Sequence, residues 1–565
     1  MIQKSDAATS IEASLIHSYR LASPCRTVHA PHETIDSGDS AGLLPLASAP
    51  MGGHLFIING DLTKIACDAA LVPTDGAFTI ESKWDDLMVD HRAETLGPWD
   101  GRNVIPLSRR HNKPRVWLGN VGQYGDQSDF SVFAPVVTDF VNQAAAESND
   151  KDGRIYPWPL PRLAVNVVGS GQGGGRGTKG NLTLGLVEIL IKLADKHNVD
   201  IILVTRGDKA YAAAQWARRK HLDGKAEADT WRLRPELLAK AGELVKDAIE
   251  RQLVLFIGAG VSAGAGVDTW KGLLENLAVE AGFDDDTRRR LKTKDLRDQA
   301  TLIESALHDT SISFKKRVAD RIGQAGHYSL AHGLLASLPS KEAVTTNFDQ
   351  LFEDAFGRDA IAVLPKDPRK ADGRLLLKLH GSVDAPEDMI LTRADYLRMP
   401  RQYGALMGLV QGLLMMRKMV FVGYSLSDED FHELLDEVRA ARGDNVAESR
   451  GTVLTLRDDD LERRLWQQDL DTVPVVIGDE YEDDVPGAAR QLELFLDLVG
   501  YLATPSAAFF LDESYADLTM DESELLPPLN QLVELTAKSE RYNVGSQVRK
   551  FLTSLGADYA SRPDD

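Results

Sequence analysis

Short apolar runs recur along the chain and alternate with stretches whose apolar positions lie three and four apart. The runs HLFIIN (from His54), AALVPT (from Ala69), RLAVNVVG (from Arg162) and IILVT (from Ile201) predict buried strands. RLAVNVVG leads into the loop GSGQGGGRGTKGN. A helical pattern follows, with apolar residues at Leu184, Val187, Leu190, Ile191, Leu193 and Ala194, and then IILVT. Strand, glycine-rich loop, helix and strand in that order imply a right-handed crossover and parallel pairing.

A second series begins after RPELLAKAGELVKDAIERQ (233–251), whose Leu237, Leu238, Ala241, Leu244, Val245, Ala248 and Ile249 share one helical face. Strands are predicted at LVLFIG, AVTTN, LLLKLHG, MVFVGY, TVLTL and PVVIG, most of them separated by helical segments. That order predicts an α/β fold with a doubly wound parallel sheet. The expected organisation is an N-terminal arm and linker over 1–50, a first α/β domain over 51–225, a second over 233–485 and a helical C-terminal region over 486–565. The basic runs Arg218-Arg219-Lys220 and Arg288-Arg289-Arg290 read as solvated helix faces.

Composition narrows the function classes. Apolar residues make up 43% of the 565-residue chain and charged residues 26%, as in an ordinary globular protein. The formal net charge of -21 argues against general binding to nucleic acid, which needs clustered Lys and Arg. The two cysteines, Cys25 and Cys67, cannot build a Cys-x-x-Cys zinc module, and no histidine spacing suggests a metal, so none is expected. Neither a membrane-length apolar stretch nor a signal-peptide pattern is found, and a cytoplasmic protein is expected.

The strongest chemical feature is LVLFIGAGVSAGAGVDTW (253–270). Gly258, Gly260 and Ala263 satisfy G-x-G-x-x-G/A directly after an apolar run. Such glycines allow a tight turn and close approach of backbone to a pyrophosphate at a helix N-terminus. The acidic residue that usually closes a dinucleotide site is missing: Glu275 and Glu280 lie near the right distance, but on a helical pattern. Three further segments end strands at polar residues: AVTTNFDQLFEDAF at Asn347, LLLKLHGSVD at His380, and MVFVGYSLSDEDF at Gly423 and Ser425. In a parallel sheet, all these loops leave at the carboxyl edge, where such folds bind ligands.

The order GAG-x-S, T-x-N-x-D, L-H-G and G-x-S-L resembles the sirtuin superfamily, and more narrowly the zinc-free, sirtuin-like NAD hydrolases of bacterial anti-phage defence, such as the Thoeris-type effectors. The resemblance covers roughly 250–480 and implies a Rossmann-like fold with NAD as substrate. It further implies that Gly258, Ala259, Gly260 and Ser262 cradle the pyrophosphate. Asn347 would stand beside the nicotinamide ribose, supported by Asp349, with His380 as the catalytic histidine. Gly423, Ser425 and Asp428 would meet the adenosine side. The family loop G-I/V-P-D/S-F/W reads Gly266-Val267-Asp268-Thr269-Trp270, keeping the aromatic Trp270 and lacking the proline. The four-cysteine zinc module of histone-type sirtuins is absent after His380.

Breaking the nicotinamide–ribose bond develops oxocarbenium character, and nicotinamide leaves neutral. An amide at Asn347 can hold a ribose hydroxyl or a water without titrating, while an imidazole at His380 accepts a proton near neutral pH. The expected activity is NAD glycohydrolysis to ADP-ribose and nicotinamide. Such an enzyme suits an abortive-infection effector that is held off by oligomer packing or its flanking domains, with a homo-oligomer and a defence-system partner protein as the expected partners. The alternatives are a zinc-free protein deacylase or ADP-ribosyltransferase, and a non-catalytic nucleotide-sensing scaffold.

The segment HLFIINGDLTKIACDAALVPTDG (54–76) resembles the opening of a macro domain at Gly60, Asp61, Asp68 and Ala69. The loop from Gly169 through Ser170, Gly171 and Gly173 would be a phosphate-binding turn. Pro73-Thr74-Asp75-Gly76 stands where the family has N-A-A-N. The resemblance implies a second nucleotide site for an ADP-ribose-like signal. A purely structural or assembly role is the alternative.

Overall fold

The computed structural model describes residues 52–122, 129–149, 154–170, 176–308, 312–367, 373–426, 429–442, 451–477, 484–518, 520–537 and 543–559. The first strands are β1 (Leu55–Asn59), β2 (Ala69–Thr74), β3 (Val104–Pro106), β4 (Arg115–Asn120), β5 (Arg162–Asn166) and β6 (Asp200–Thr205). Among the described residues they form a six-stranded sheet in the order β1-β6-β5-β2-β4-β3. Neighbours are parallel except β3, which runs antiparallel to β4. The predicted crossover is present, since the helix Lys179–His197 joins the parallel pair β5 and β6.

The second series is β7 (Leu253–Ile257), β8 (Glu342–Thr345), β9 (Ile361–Leu364), β10 (Arg374–Lys378), β11 (Lys418–Val422), β12 (Gly451–Thr455) and β13 (Leu470–Pro474). These strands form a parallel sheet in the order β13-β12-β11-β7-β8-β10-β9. Both faces of β7 are buried: Leu253, Leu255 and Ile257 enter one apolar cluster, and Val254 and Phe256 another. A strand covered on both faces has no polar alternation, which is why LVLFI reads as one apolar run. From β7 the chain proceeds to β8 on one side and later returns to β11 on the other. The reversal places a ligand crevice at the carboxyl ends of these strands.

The two sheets share a core. One apolar cluster includes Phe56 and Ile58 of β1, Leu255 and Ile257 of β7, and Phe495 and Leu498 of the helix Val485–Ala503. That helix also buries three ionisable side chains against the first domain: Arg490 meets Asp200 at 2.6 Å, Glu493 meets Arg162, and Asp497 meets Arg218 at 2.8 Å. Arg218 therefore departs from its expected place on a solvated face. It is 2% exposed and also donates to the Leu55 carbonyl at 2.7 Å. Arg288 and Arg289 keep the expected solvated role, pairing with Asp285 and Asp286 on the helix Asp285–Leu291.

Other departures are local. PVVIG was expected as a strand, but pairing ends at Pro474, and Val475 and Val476 are buried beyond it. Their apolarity reflects burial, not extension. Strands β3, β4 and β9 carry too little period-two contrast to be read from the sequence. Asn347, His380 and Gly423 lie just past their strands, which stop at Thr345, Lys378 and Val422. Among the described residues no helix is long and apolar enough to cross a membrane. The expected arm over 1–50, with Cys25, lies outside the described residues.

Candidate active site

The loops after β7, β8, β10 and β11 open on one cavity of about 760 Å³. Ala259, Gly260, Ser262, Trp270, Asn347, Asp349, His380, Gly423 and Ser425 all line it. Gly258 stands behind this wall, and Asp428 lies outside the described residues. The small helices between Trp270 and Ile322 close one side; Leu273, Leu274, Leu277, Ile303 and Val318 form their shared core.

The glycine loop is shaped by a neighbouring loop. The Gly258 amide donates to the Val422 carbonyl at 2.9 Å, and the Gly260 amide to the Gly423 carbonyl at 2.8 Å. A Cβ on Gly258 would lie 2.4 Å from the Gly423 oxygen, and one on Gly260 2.9 Å from the Gly423 Cα. Gly423 itself has φ +63, and its Cβ position is 2.6 Å from the Val261 nitrogen. Close backbone packing between the β7 and β11 loops thus accounts for all three glycines. The helix that follows, Ala259–Ala263, is a single short turn.

A buried hydrogen-bond chain ties the β7 loop to the β8 loop. Asn347 Nδ2 donates to the Gly258 carbonyl at 3.1 Å and to Ser262 Oγ at 3.2 Å. Ser262 Oγ donates in turn to Asp349 Oδ2 at 2.8 Å. The carbonyl partner fixes the orientation of the Asn347 amide, because only its nitrogen can donate. The acceptor Oδ1 is the group that Asn347 has left for a ligand. Asp349 Oδ1 also caps the next helix by accepting from the Leu351 amide at 3.1 Å.

Two residues that the sequence reading passed over support this chain. His332 is fully buried, and burial holds its ring down to about 4, so it is neutral. Its Nδ1 accepts from the Ser329 amide at 3.3 Å, which leaves the Nε2–H facing Ser262 Oγ at 3.4 Å. Lys378, the last residue of β10, is also buried. Its ammonium donates to the Asp349 carbonyl and reaches Glu353 Oε1 at 3.0 Å, pinning the backbone of the β8 loop. A lysine inside the apolar run LLLKLHG was the signal for it, since a buried cation needs a partner.

His380 is 5% exposed and meets the edge of Tyr396 with ring centroids 5.4 Å apart. Phe348 lies beyond it at 6.3 Å and in turn touches Trp270 at 6.0 Å. Gly381 lets the chain turn away directly after His380: its φ is +88, and a Cβ there would stand 2.8 Å from the Asp388 oxygen. Phe348, Tyr396, Lys294 and Arg297 are among the other lining residues, and none was singled out from the sequence. Among the described residues no group of three or more His, Cys, Asp or Glu side chains is arranged to hold a metal ion.

The N-terminal candidates are not gathered in the same way. Gly60 and Asp61 sit beneath the buried Tyr328, whose hydroxyl accepts from the Asp61 amide at 3.0 Å and donates to the Asp61 carbonyl at 2.9 Å. The Asp61 carboxylate caps its own turn, accepting from the Thr63 amide at 2.9 Å. Gly169, at φ +80, faces the Phe133 ring, and Ser170 Oγ donates to the Val167 carbonyl at 2.7 Å. Gly171 and Gly173 lie outside the described residues.

Residues 341–474 match the family model described as a SIR2-like domain. The chain is 30% identical over 203 residues to the NAD(+) hydrolase ThsA of Acinetobacter baumannii (strain 532279), covering 35% of this chain and 41% of that protein. It is 27% identical over 207 residues to the NAD(+) hydrolase ThsA of Bacillus cereus (strain MSX-D12), covering 35% and 42%. A third relative is the Defense-associated sirtuin 2 of Bacillus subtilis, 22% identical over 213 residues and covering 36% and 21%. The chain thus spans about two fifths of the length of the ThsA relatives it matches. The glycine loop precedes the matched family span, but β7 lies between β8 and β11 and brings it to the same edge. Over residues 341–474, in agreement with the motifs that first suggested it, this chain carries a SIR2-like domain.

Proposed function

We propose that the cavity binds NAD and hydrolyses its nicotinamide–ribose bond. The observation that carries this reading is the convergence of Asn347, His380 and the β7 and β11 loops on one cavity large enough for a dinucleotide. The C1′–N bond breaks with its electron pair leaving on nicotinamide, and water oxygen bonds to C1′. The proton that water loses goes to His380 as general base. Asn347 Oδ1 accepts from a ribose hydroxyl or from that water and holds it in line. Trp270 and Phe348 cover the nicotinamide end and exclude bulk water, which strengthens the polar contacts inside.

The names of the ThsA relatives favour NAD hydrolysis, that of the Defense-associated sirtuin 2 favours a defence setting, and we extend both to this chain. The same reading has the activity restrained by the flanking domains or by self-association in the cytoplasm until a signal arrives. An ADP-ribose-like nucleotide at the N-terminal sheet is the candidate signal. The test is purified chain incubated with NAD, with products separated chromatographically. Equal amounts of nicotinamide and ADP-ribose are expected, and none from His380→Ala. Product formed only when an acylated peptide or a protein acceptor is added would favour deacylation or ADP-ribosyl transfer. No turnover, with nucleotide still bound, would favour a sensing scaffold.

A further inference from the structure

Resting on the NAD reading, the cavity poses a charge problem. A dinucleotide brings two negative phosphates, yet the loop expected to cradle them has little left to offer. The Gly258 and Gly260 amides are bonded to Val422 and Gly423, the Val261 amide to the Gly258 carbonyl at 3.1 Å, and the Ser262 hydroxyl to Asp349. The five-residue helix Ala259–Ala263 is too short to add a useful macrodipole. The counter-charge has to come from side chains elsewhere on the wall.

Four cations line the cavity: Lys271, Lys292, Lys294 and Arg297. Lys292 is engaged by Glu275 at 3.1 Å, and Arg297 by Asp295 at 3.0 Å. Three carboxylates share the lining, and each has a protein partner. Asp268 accepts from Asn276 at 3.0 Å, Asp295 also pairs with Arg393 at 3.0 Å, and Asp349 accepts from Ser262. Lys271 and Lys294 have no carboxylate partner among the described residues. Lys294 stands in the bend just before Asp295, the N-cap of the helix Leu296–Leu307; its amide donates to the Leu291 carbonyl at 2.9 Å and its carbonyl accepts from Gln299 at 2.8 Å, so its backbone is fixed at the cavity wall.

We infer that Lys294 supplies the principal counter-charge for the substrate diphosphate, with Lys271 as the second cation. An ammonium at the mouth of a low-dielectric cleft in an acidic protein concentrates anions there, and a lysine serves phosphate as a point charge. Lys294 is thus a binding and positioning residue, drawn from a helical segment outside the four strand-end motifs.

The test uses the full chain. Lys294→Ala should raise the KM for NAD about tenfold with a much smaller change in kcat, the signature of lost uniform binding. Inhibition by inorganic pyrophosphate should weaken in parallel, inhibition by adenosine should not, and Lys294→Arg should restore most of both. An unchanged KM together with unchanged pyrophosphate inhibition would overturn the assignment, as would equal weakening by pyrophosphate and adenosine. If the unmodified chain releases no nicotinamide, it is the NAD hydrolysis reading that fails. Calorimetric binding of pyrophosphate to the chain and to Lys294→Ala then decides the anion subsite separately: weaker binding by the variant upholds it, and equal binding or none overturns it.

Discussion

The Ser262 hydroxyl donates to Asp349 at 2.8 Å while it accepts from Asn347 at 3.2 Å, so one side chain joins the β7 loop to the β8 loop inside the cavity wall. Ser262→Ala removes both bonds and the His332 contact, and it leaves Asp349 Oδ2 without its donor. We expect a loss of about 1–3 kcal/mol in denaturant unfolding, because a buried polar group left unpaired costs its desolvation. NAD turnover should fall further than this, since Asn347 is then held only by the Gly258 carbonyl. Unchanged turnover in a destabilised Ser262→Ala protein would show that the chain is only structural.

Asp497 is the most heavily used carboxylate of the inter-sheet helix. It accepts from His54 at 2.9 Å, Arg218 at 2.8 Å and Trp231 at 2.8 Å. Asp497→Asn keeps the shape but leaves the Arg218 guanidinium buried without a counter-ion. Breaking one side of such a pair costs about 3–5 kcal/mol, which urea unfolding would detect as a lower midpoint. A double variant, Asp497→Leu with Arg218→Met, should recover much of the loss, because no isolated charge remains.

Two pH windows follow from the buried groups. Burial holds His332 down to about 4, below the ordinary value of about 6.5 for an unfolded histidine. As pH falls, the unfolded chain takes up this proton first. The contribution of neutral His332 is complete above about 6.5 and is lost progressively towards about 4. Burial alone would raise the Asp497 carboxyl, but Arg218 and His54 outweigh it and hold it at about 2. Its contribution is present above the unfolded value of about 3.9 and is lost as pH falls towards 2. Unfolding free energies measured across these ranges should decline in both windows as pH falls, and His332→Gln should make the upper decline shallower, the remainder coming from His54 and His327, which burial also holds down.

Glycine substitutions separate loop geometry from helix propensity. Gly381→Ala and Gly423→Ala place a Cβ against backbone at positive φ, so each should cost on the order of 1–3 kcal/mol and disturb the cavity. Gly404, in the helix Arg393–Met416, meets nothing within 4 Å, and Gly404→Ala should gain roughly 0.5–1 kcal/mol. Thermal melts of the three variants, with NAD turnover, check the contrast. A destabilised Gly404→Ala would instead mark that helix face as one that packs against something.

By itself the sequence determined the buried strands and the polar residues at their ends. Strands covered on both faces must be apolar along their length, and a parallel sheet puts its strand-end loops on one edge. Asn347, His380 and Gly423 were legible for that reason, as were the crossover helices with their apolar faces. Only the tertiary structure decided how the polar atoms are spent. Gly258 and Gly260 read as a phosphate turn, but their amides meet the β11 loop. Arg218 read as a surface charge, but it is buried by a helix 279 positions away in the chain. Lys294 had no motif, yet it lines the cavity because the helical segment folds over the sheet edge. Periodicity reports which side of an element is buried; the partner of a charged or hydrogen-bonding group depends on which distant element arrives there, and local pattern does not encode that.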